Sequence, residues 1–168
     1  GEGGNHVGRG RGRRVGRTAG GGGMGGAQPL AETMNEDVMI GVEVDESRAD
    51  KRIESGYCDR KTHSFDEAVN WAREAMGSGT ALSIALIGNA ADLIPMFVDR
   101  NVVPDVLTDQ TSAHDMLNGY IPAGLSLKEA VALRASDPQE YTRLATESLV
   151  MHVQAMLEIG RAHVCTLV

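Results

Sequence analysis

Apolar residues fall into short continuous runs, and longer amphipathic stretches separate them. Residues 38–44 (VMIGVEV), 82–87 (LSIALI) and 105–108 (DVLT) are such runs, each bounded by turn or polar residues. Runs this short and continuous suit strands of a parallel sheet, buried on both faces. Ser64-Phe-Asp-Glu67 reads as a capping box, with Ser and Glu side chains satisfying the first free backbone N–H groups. It opens a helix through Met76, which Gly77 and Gly79 stop. Gly88-Asn89 turns into a helix over 90–100, and Ser126-Leu-Lys-Glu129 caps another. Asp137-Pro-Gln-Glu140 caps the last, with Pro138 at its favoured first position and the helix running to about Glu158. Within it Met151, Met156 and Leu157 are helix-spaced and read as core. Residues 28–35 and 47–54 are compatible with short helices, and 109–124 form a polar loop without periodicity.

Strands alternating with helices predict the α/β class, a Rossmann-like parallel sheet with crossover helices on its faces. Such a unit needs a strand directly before its glycine turn. Residues 13–19 (RRVGRTA) are a poor one, so the first strand is expected to be weak or missing. Residues 1–18 are rich in Gly and Arg with almost nothing to bury, and read as a disordered or non-native tail.

Composition narrows the picture. The 168 residues give room for one domain. One Trp, two Phe and three Tyr among abundant aliphatics and Met suit helices packed on a buried sheet. No apolar run approaches the roughly 18 residues that a membrane span needs. The basic start leads into glycine and not into the apolar segment of a signal peptide. Cys58 and Cys165 fit neither CxxC nor zinc spacing; they read as free thiols in a reducing compartment, and the expected location is cytoplasmic.

Charge is uneven. The first 18 residues hold five arginines and one glutamate, so the remaining 150 carry −11 behind the overall −7. A body that acidic repels a phosphate backbone, which leaves nucleic-acid binding to the Gly/Arg tail alone.

The candidate chemistry sits in turns. Gly23-Met-Gly25-Gly26-Ala-Gln28 is a tight glycine turn leading into a helix, where backbone N–H groups can approach a pyrophosphate. A glycine-rich linker is the alternative reading. The next strand ends at Glu43, 20 residues after Gly23. Dinucleotide-binding folds place there the acid that accepts hydrogen bonds from the adenosine ribose, and an acid disfavours the 2′-phosphate of NADP. A solvated strand-end residue is the plainer alternative for Glu43. Two further turns follow strands: Gly88-Asn89-Ala90, then the stretch from Asp109 to Asp115 with Asn118-Gly119-Tyr120. That density of polar side chains exceeds what a connection requires. His63, His114 and His152 show no metal-ligand spacing, no serine occupies a G-x-S-x-G elbow, and no catalytic residue is assigned.

Taken together, these turns resemble the urocanate hydratase (urocanase) family. The likeness is carried by GMGGAQP at 23–29, VEVDESR at 42–48, GNAA at 88–91, TDQTSAHDMLNGYIPAG at 108–124 and MHVQAML at 151–157. It implies a urocanase-type NAD-binding domain over 19–159, with 160–168 as a C-terminal tail outside the family. Urocanases hydrate urocanate to imidazolonepropionate in histidine catabolism, using bound NAD as an electrophile and not as a hydride carrier. By resemblance Gly23, Met24 and Gly25 cradle the pyrophosphate, and Glu43 and Arg48 grip the adenosine end. Asn89 and Ala90 share that pocket. Gln110, Thr111, Ser112, Ala113 and His114, with Tyr120 and Ile121, line it towards the nicotinamide.

The resemblance further implies a lyase that works as a larger chain and a homodimer, with NAD and urocanate as its partners. Neither cysteine lies where the family has its functional one, so this chain is expected to be a fragment inactive alone. Two other readings remain. A stand-alone NAD-dependent oxidoreductase lacks support, because no Tyr-x-x-x-Lys or other proton-relay pair lies near a plausible substrate site. Nucleic-acid binding through the tail meets an acidic body and no interleaved aromatics.

Overall fold

The computed structural model describes residues 37–112 and 114–161, together with the backbone of 15–19 and 165–167. The expected glycine turn and the helix over 28–35 lie outside the described residues, as do residues 1–14 of the expected tail. In chain order the elements are β1 (Val15–Ala19), β2 (Val38–Glu43), α1 (Glu46–Glu54), β3 (Arg60–Thr62), α2 (Phe65–Ser78) and β4 (Leu82–Ile87). After these come α3 (Ala90–Asp99), β5 (Val106–Asp109), α4 (Leu127–Ser136), α5 (Pro138–Arg161) and β6 (Cys165–Leu167).

All strand pairs are parallel, in the order β3-β4-β2-β1-β5-β6. From β1 the chain builds outward through β2 and β4, then returns to lay β5 on the other side of β1. That reversal is a topological switch point, and open parallel sheets bind ligands there, beyond the carboxyl ends of their strands.

The first strand, expected to be weak or missing, is present: Val15–Ala19 lies between β2 and β5, with Val15 opposite Val38 and Ala19 opposite both Val42 and Asp109. Residues 15–18 therefore belong to the sheet and not to a tail. A ladder needs only backbone groups, so the pairing tolerates a segment whose composition is poor for a strand. Near the C-terminus, residues 165–167 pair with β5, inside the stretch read as a tail.

Alternation along β2 and β4 builds the core. Val38, Ile40, Val42, Ile84 and Leu86 face helices α2, α3 and α5, meeting Phe65, Ala72, Phe97 and Met156. Phe65 and Phe97 pack edge to face, with centroids 4.6 Å apart. On the opposite face Ala85 and Ile87 pack with Ala49 and Cys58. Cys58 is free, and its Sγ lies 3.4 Å from the Arg60 carbonyl; burial raises its pKa.

Helix ends follow their caps with small changes. Ser64 accepts from the Glu67 amide, but Glu67 turns its carboxylate to the Thr62 hydroxyl, so the expected capping box is half made. The helix continues to Ser78, where Gly79 ends it at φ +70°. At Ser126 and Glu129 both halves of the box form. Met151 and Leu157, read as core, are instead exposed, and of the three only Met156 is buried. The inward face of α5 carries Tyr141, Ala145, Ser148, His152, Ala155, Met156 and Ile159. Among the described residues no helix is long and apolar enough to cross a membrane.

Candidate functional site

A cleft opens at the carboxyl ends of β2, β4 and β5, on the side of the sheet where the chain leaves each strand. The end of β2 contributes Val42, Glu43 and Val44, with Arg48 from α1. Gly88, Asn89 and Ala90 come from the turn after β4. Gln110, Thr111 and Ser112 follow β5, and Gly119, Tyr120 and Ile121 close the far wall.

Glu43 is the unusual member. It is only 5% exposed. Its Oε1 accepts the Asp45 amide at 2.9 Å, while Oε2 is buried and, among the described residues, meets no donor. An unsatisfied buried acceptor costs about 1–3 kcal/mol, so something outside the described residues or a ligand is needed to complete it. Arg48 lies at the mouth, mostly exposed, with Nε 3.5 Å from Asp45 Oδ2. Asp45 caps α1 by accepting from Ser47, and that hydrogen bond, more than Arg48, holds its pKa below the ordinary value.

Asn89 is fully engaged by the protein. Its Oδ1 caps α3 through the Ala91 amide at 2.9 Å, and its Nδ2 donates to the carbonyls of Ile121 at 2.8 Å and Pro122 at 3.2 Å. The side chain ties one wall of the cleft to the other, leaving the backbone at 89 and 90 to face the opening. Gly88, at φ +156°, would place a Cβ 2.8 Å from Leu93 Cδ1, so a side chain there strains both backbone and packing.

The loop after β5 is held by its own side chains. Asp109 accepts from the Thr111 amide and hydroxyl, both at 2.8 Å. Asp115 accepts from the amides of Leu117 and Asn118 and from Asn118 Nδ2; the Asn118 bonds are the main cause of its lowered pKa. Gly119 passes so close to Ser112 that a Cβ would lie 2.1 Å from the Ser112 carbonyl. These turns, anchored at Asp109 on the end of β5, present residues 110–112 to the cleft.

The structure brings Glu43, Arg48, Asn89, Ala90, Gln110, Thr111, Ser112, Tyr120 and Ile121 together on one wall system. His114 is exposed and stands off that wall. Gly23, Met24, Gly25 and Ala113 lie outside the described residues. Among the described residues no group of three or more His, Cys, Asp or Glu is placed to hold a metal ion. Sequence reasoning missed three residues behind the wall: Tyr141, Ser148 and His152. Their signal was polar side chains at i, i+7 and i+11 on the otherwise apolar inward face of an amphipathic helix.

A family model, the urocanase Rossmann-like domain, matches residues 5–167. The chain belongs to the urocanase family. That match takes in β1 and β6, beyond the span of 19–159 read from motifs alone. In this urocanase domain the cleft is formed by segments whose motifs carried the resemblance after the glycine turn.

Proposed function

We propose that this domain binds NAD in the cleft and serves a urocanate hydratase, converting urocanate and water to imidazolonepropionate. The observation that carries this reading is Glu43 Oε2, buried at the end of β2 on the cleft wall and without a donor among the described residues. A ribose offers two adjacent hydroxyl donors, which suit a carboxylate oxygen lacking one. The residues fit the rest of the cofactor as well. Arg48 at the mouth can meet the adenosine end, and the open backbone at 88–90 allows close approach of a phosphate-bearing chain. Thr111, Ser112 and Gln110 supply further polar groups along the wall.

Bound there, NAD would supply an electrophilic nicotinamide ring to the urocanate imidazole. The chain's own residues bind and orient; no group on the cleft wall is proposed as proton donor or nucleophile. The test is calorimetric titration of the purified chain with NAD and with NADP. Binding of NAD with much weaker binding of NADP supports the reading, and no heat with either sinks it. For the reaction, loss of urocanate absorbance on adding NAD is compared between the enzyme with intact Glu43 and its Glu43→Ala variant. Equal turnover at subsaturating NAD would remove Glu43 from the site.

A further inference from the structure

The wall formed by residues 120–123 has no secondary structure, yet its polar groups are satisfied from two sides. From the N-cap of α3, Asn89 donates to the carbonyls of Ile121 and Pro122. From α5, three side chains reach the same segment. The Tyr141 hydroxyl donates to the Tyr120 carbonyl at 2.8 Å. Ser148 Oγ accepts the Ala123 amide at 2.8 Å while donating to Leu144 on its own helix at 2.7 Å. His152 Nδ1 lies 3.1 Å from the Tyr120 hydroxyl. Positions 141, 148 and 152 fall on one face of the helix, so the three contacts form a polar stripe set into an apolar face.

We propose that this stripe is a positioning device for the cleft, and that His152 fixes Tyr120 and with it the wall at 120–123. The proposal rests on the reading of the cleft as a nucleotide site. Three observations favour it over a satisfied core histidine with no bearing on the cleft. His152 is 1% exposed and Tyr120 4%, so neither can exchange its partner for water. Tyr120 itself lines the cleft, so a shift of this residue is a shift of the wall. His152 Nε2 is buried and without a partner among the described residues, so the imidazole is anchored through Nδ1 alone. Burial lowers the His152 pKa, against the opposing pull of the Asp109 carboxylate. Burial, with Asp109 and Asp92 nearby, raises that of Tyr120. Both groups are thus neutral near pH 7, which suits a hydrogen bond that holds geometry and carries no charge. His152 acts through Tyr120 and is a positioning residue, not a catalytic one.

The test uses the purified chain with NAD as probe, in wild type and in His152→Leu, His152→Asn and Tyr120→Phe variants. An asparagine carbonyl can take the place of Nδ1, whereas leucine keeps the volume and loses the bond. Tyr120→Phe removes the same bond from the other end, should replacement of the histidine prevent folding. Peptide-level hydrogen–deuterium exchange reads the wall, and calorimetry reads NAD affinity. In His152→Leu and Tyr120→Phe, exchange over 119–125 should rise tenfold or more while α2 and β4 stay protected, and NAD affinity should fall at least fivefold. His152→Asn should restore both. Unchanged exchange in the Leu and Phe variants, no rescue by Asn, or a loosened wall with undiminished NAD affinity would each overturn the proposal. If the wild-type chain binds no NAD at all, the nucleotide reading fails on that measurement alone, and the role of the wall fails with it.

Discussion

Replacing Glu43 by glutamine should separate stability from binding. In the wild type, Oε1 accepts the Asp45 amide at 2.9 Å, and Oε2 is buried without a donor among the described residues. In the Glu43→Gln variant the side-chain carbonyl, placed where Oε1 was, keeps the first bond. The second oxygen gives way to a neutral amide nitrogen, whose burial costs less than that of an unpartnered carboxylate oxygen. Without ligand, the variant should therefore gain about 1 kcal/mol, part of the roughly 1–3 kcal/mol carried by an unsatisfied buried group. For a domain of this size that is a rise in Tm of about 2–4 °C. NAD binding should move the other way. Losing a hydrogen bond to a carboxylate costs about 1.5–3 kcal/mol, roughly a 10- to 150-fold loss of affinity. Thermal unfolding without ligand and calorimetric titration with NAD measure the two arms on the same samples. A variant that melts below the wild type would show that Oε2 has a donor within the protein. Unchanged NAD affinity would show that the carboxylate faces no ligand, and either result refutes the argument.

Other consequences can be measured on the same material. Gly119→Ala should open the loop after β5, because its Cβ would meet the Ser112 carbonyl at 2.1 Å and the Asp115 carbonyl at 2.8 Å. Overpacking of this kind costs about 1–3 kcal/mol. Exchange over 110–121 should rise while α2 stays protected, and an unchanged exchange pattern would count against the close approach. Asn89→Asp keeps the cap on α3 but loses both bonds to Ile121 and Pro122, for a cost of about 2 kcal/mol at roughly 1 kcal/mol each; chemical unfolding with no loss of stability would contradict it. Stability should also depend on His152. Its native pKa is depressed by burial, so the unfolded chain takes up protons first as pH falls. The contribution is complete above about pH 6.5, the ordinary histidine value, and is lost as pH drops below it. Asp109 at the end of β5 opposes the shift, and Tyr120 and Asp92 are the other titratable groups around the pair. Unfolding between pH 5 and 8 should give a slope in that window that His152→Asn flattens. An equal slope in the variant would remove His152 as its source.

Which parts of the fold were legible follows from what each element needs from its side chains. Strands β2 and β4 are buried on both faces, so their continuous apolar runs announce them. Helices α2 and α4 carry Ser caps that act as the sequence implied, apart from Glu67, which prefers the Thr62 hydroxyl. By contrast β1 lies in the middle of the sheet with Gly16, Arg17 and Thr18 at its centre. Its ladder depends on backbone groups that no composition reveals. Three-residue strands such as β3 and β6 are too short to show a period at all.

The cleft was legible for a different reason, and illegible behind its wall for the same one. Turns at strand ends with more hydrogen-bonding side chains than a connection needs stand out locally, and residues 88–90 and 109–121 are such turns. Which side chains stabilise a turn and which face the opening is a tertiary fact. Asn89, read as a cofactor residue, spends its whole carboxamide on Ala91, Ile121 and Pro122. On α5 the rule that apolar residues point inward sent Met151 and Leu157 to the core, but Ser148 and His152 took inward positions and those two face solvent. An inward serine and histidine are costly unless hydrogen-bonded. Here the bonds they make end on Ala123 and Tyr120, on the wall of the cleft. The break in the hydrophobic pattern and the place where the wall is held are therefore one feature. A polar residue at a core position of a long helix is a pointer to whatever loop it is there to hold.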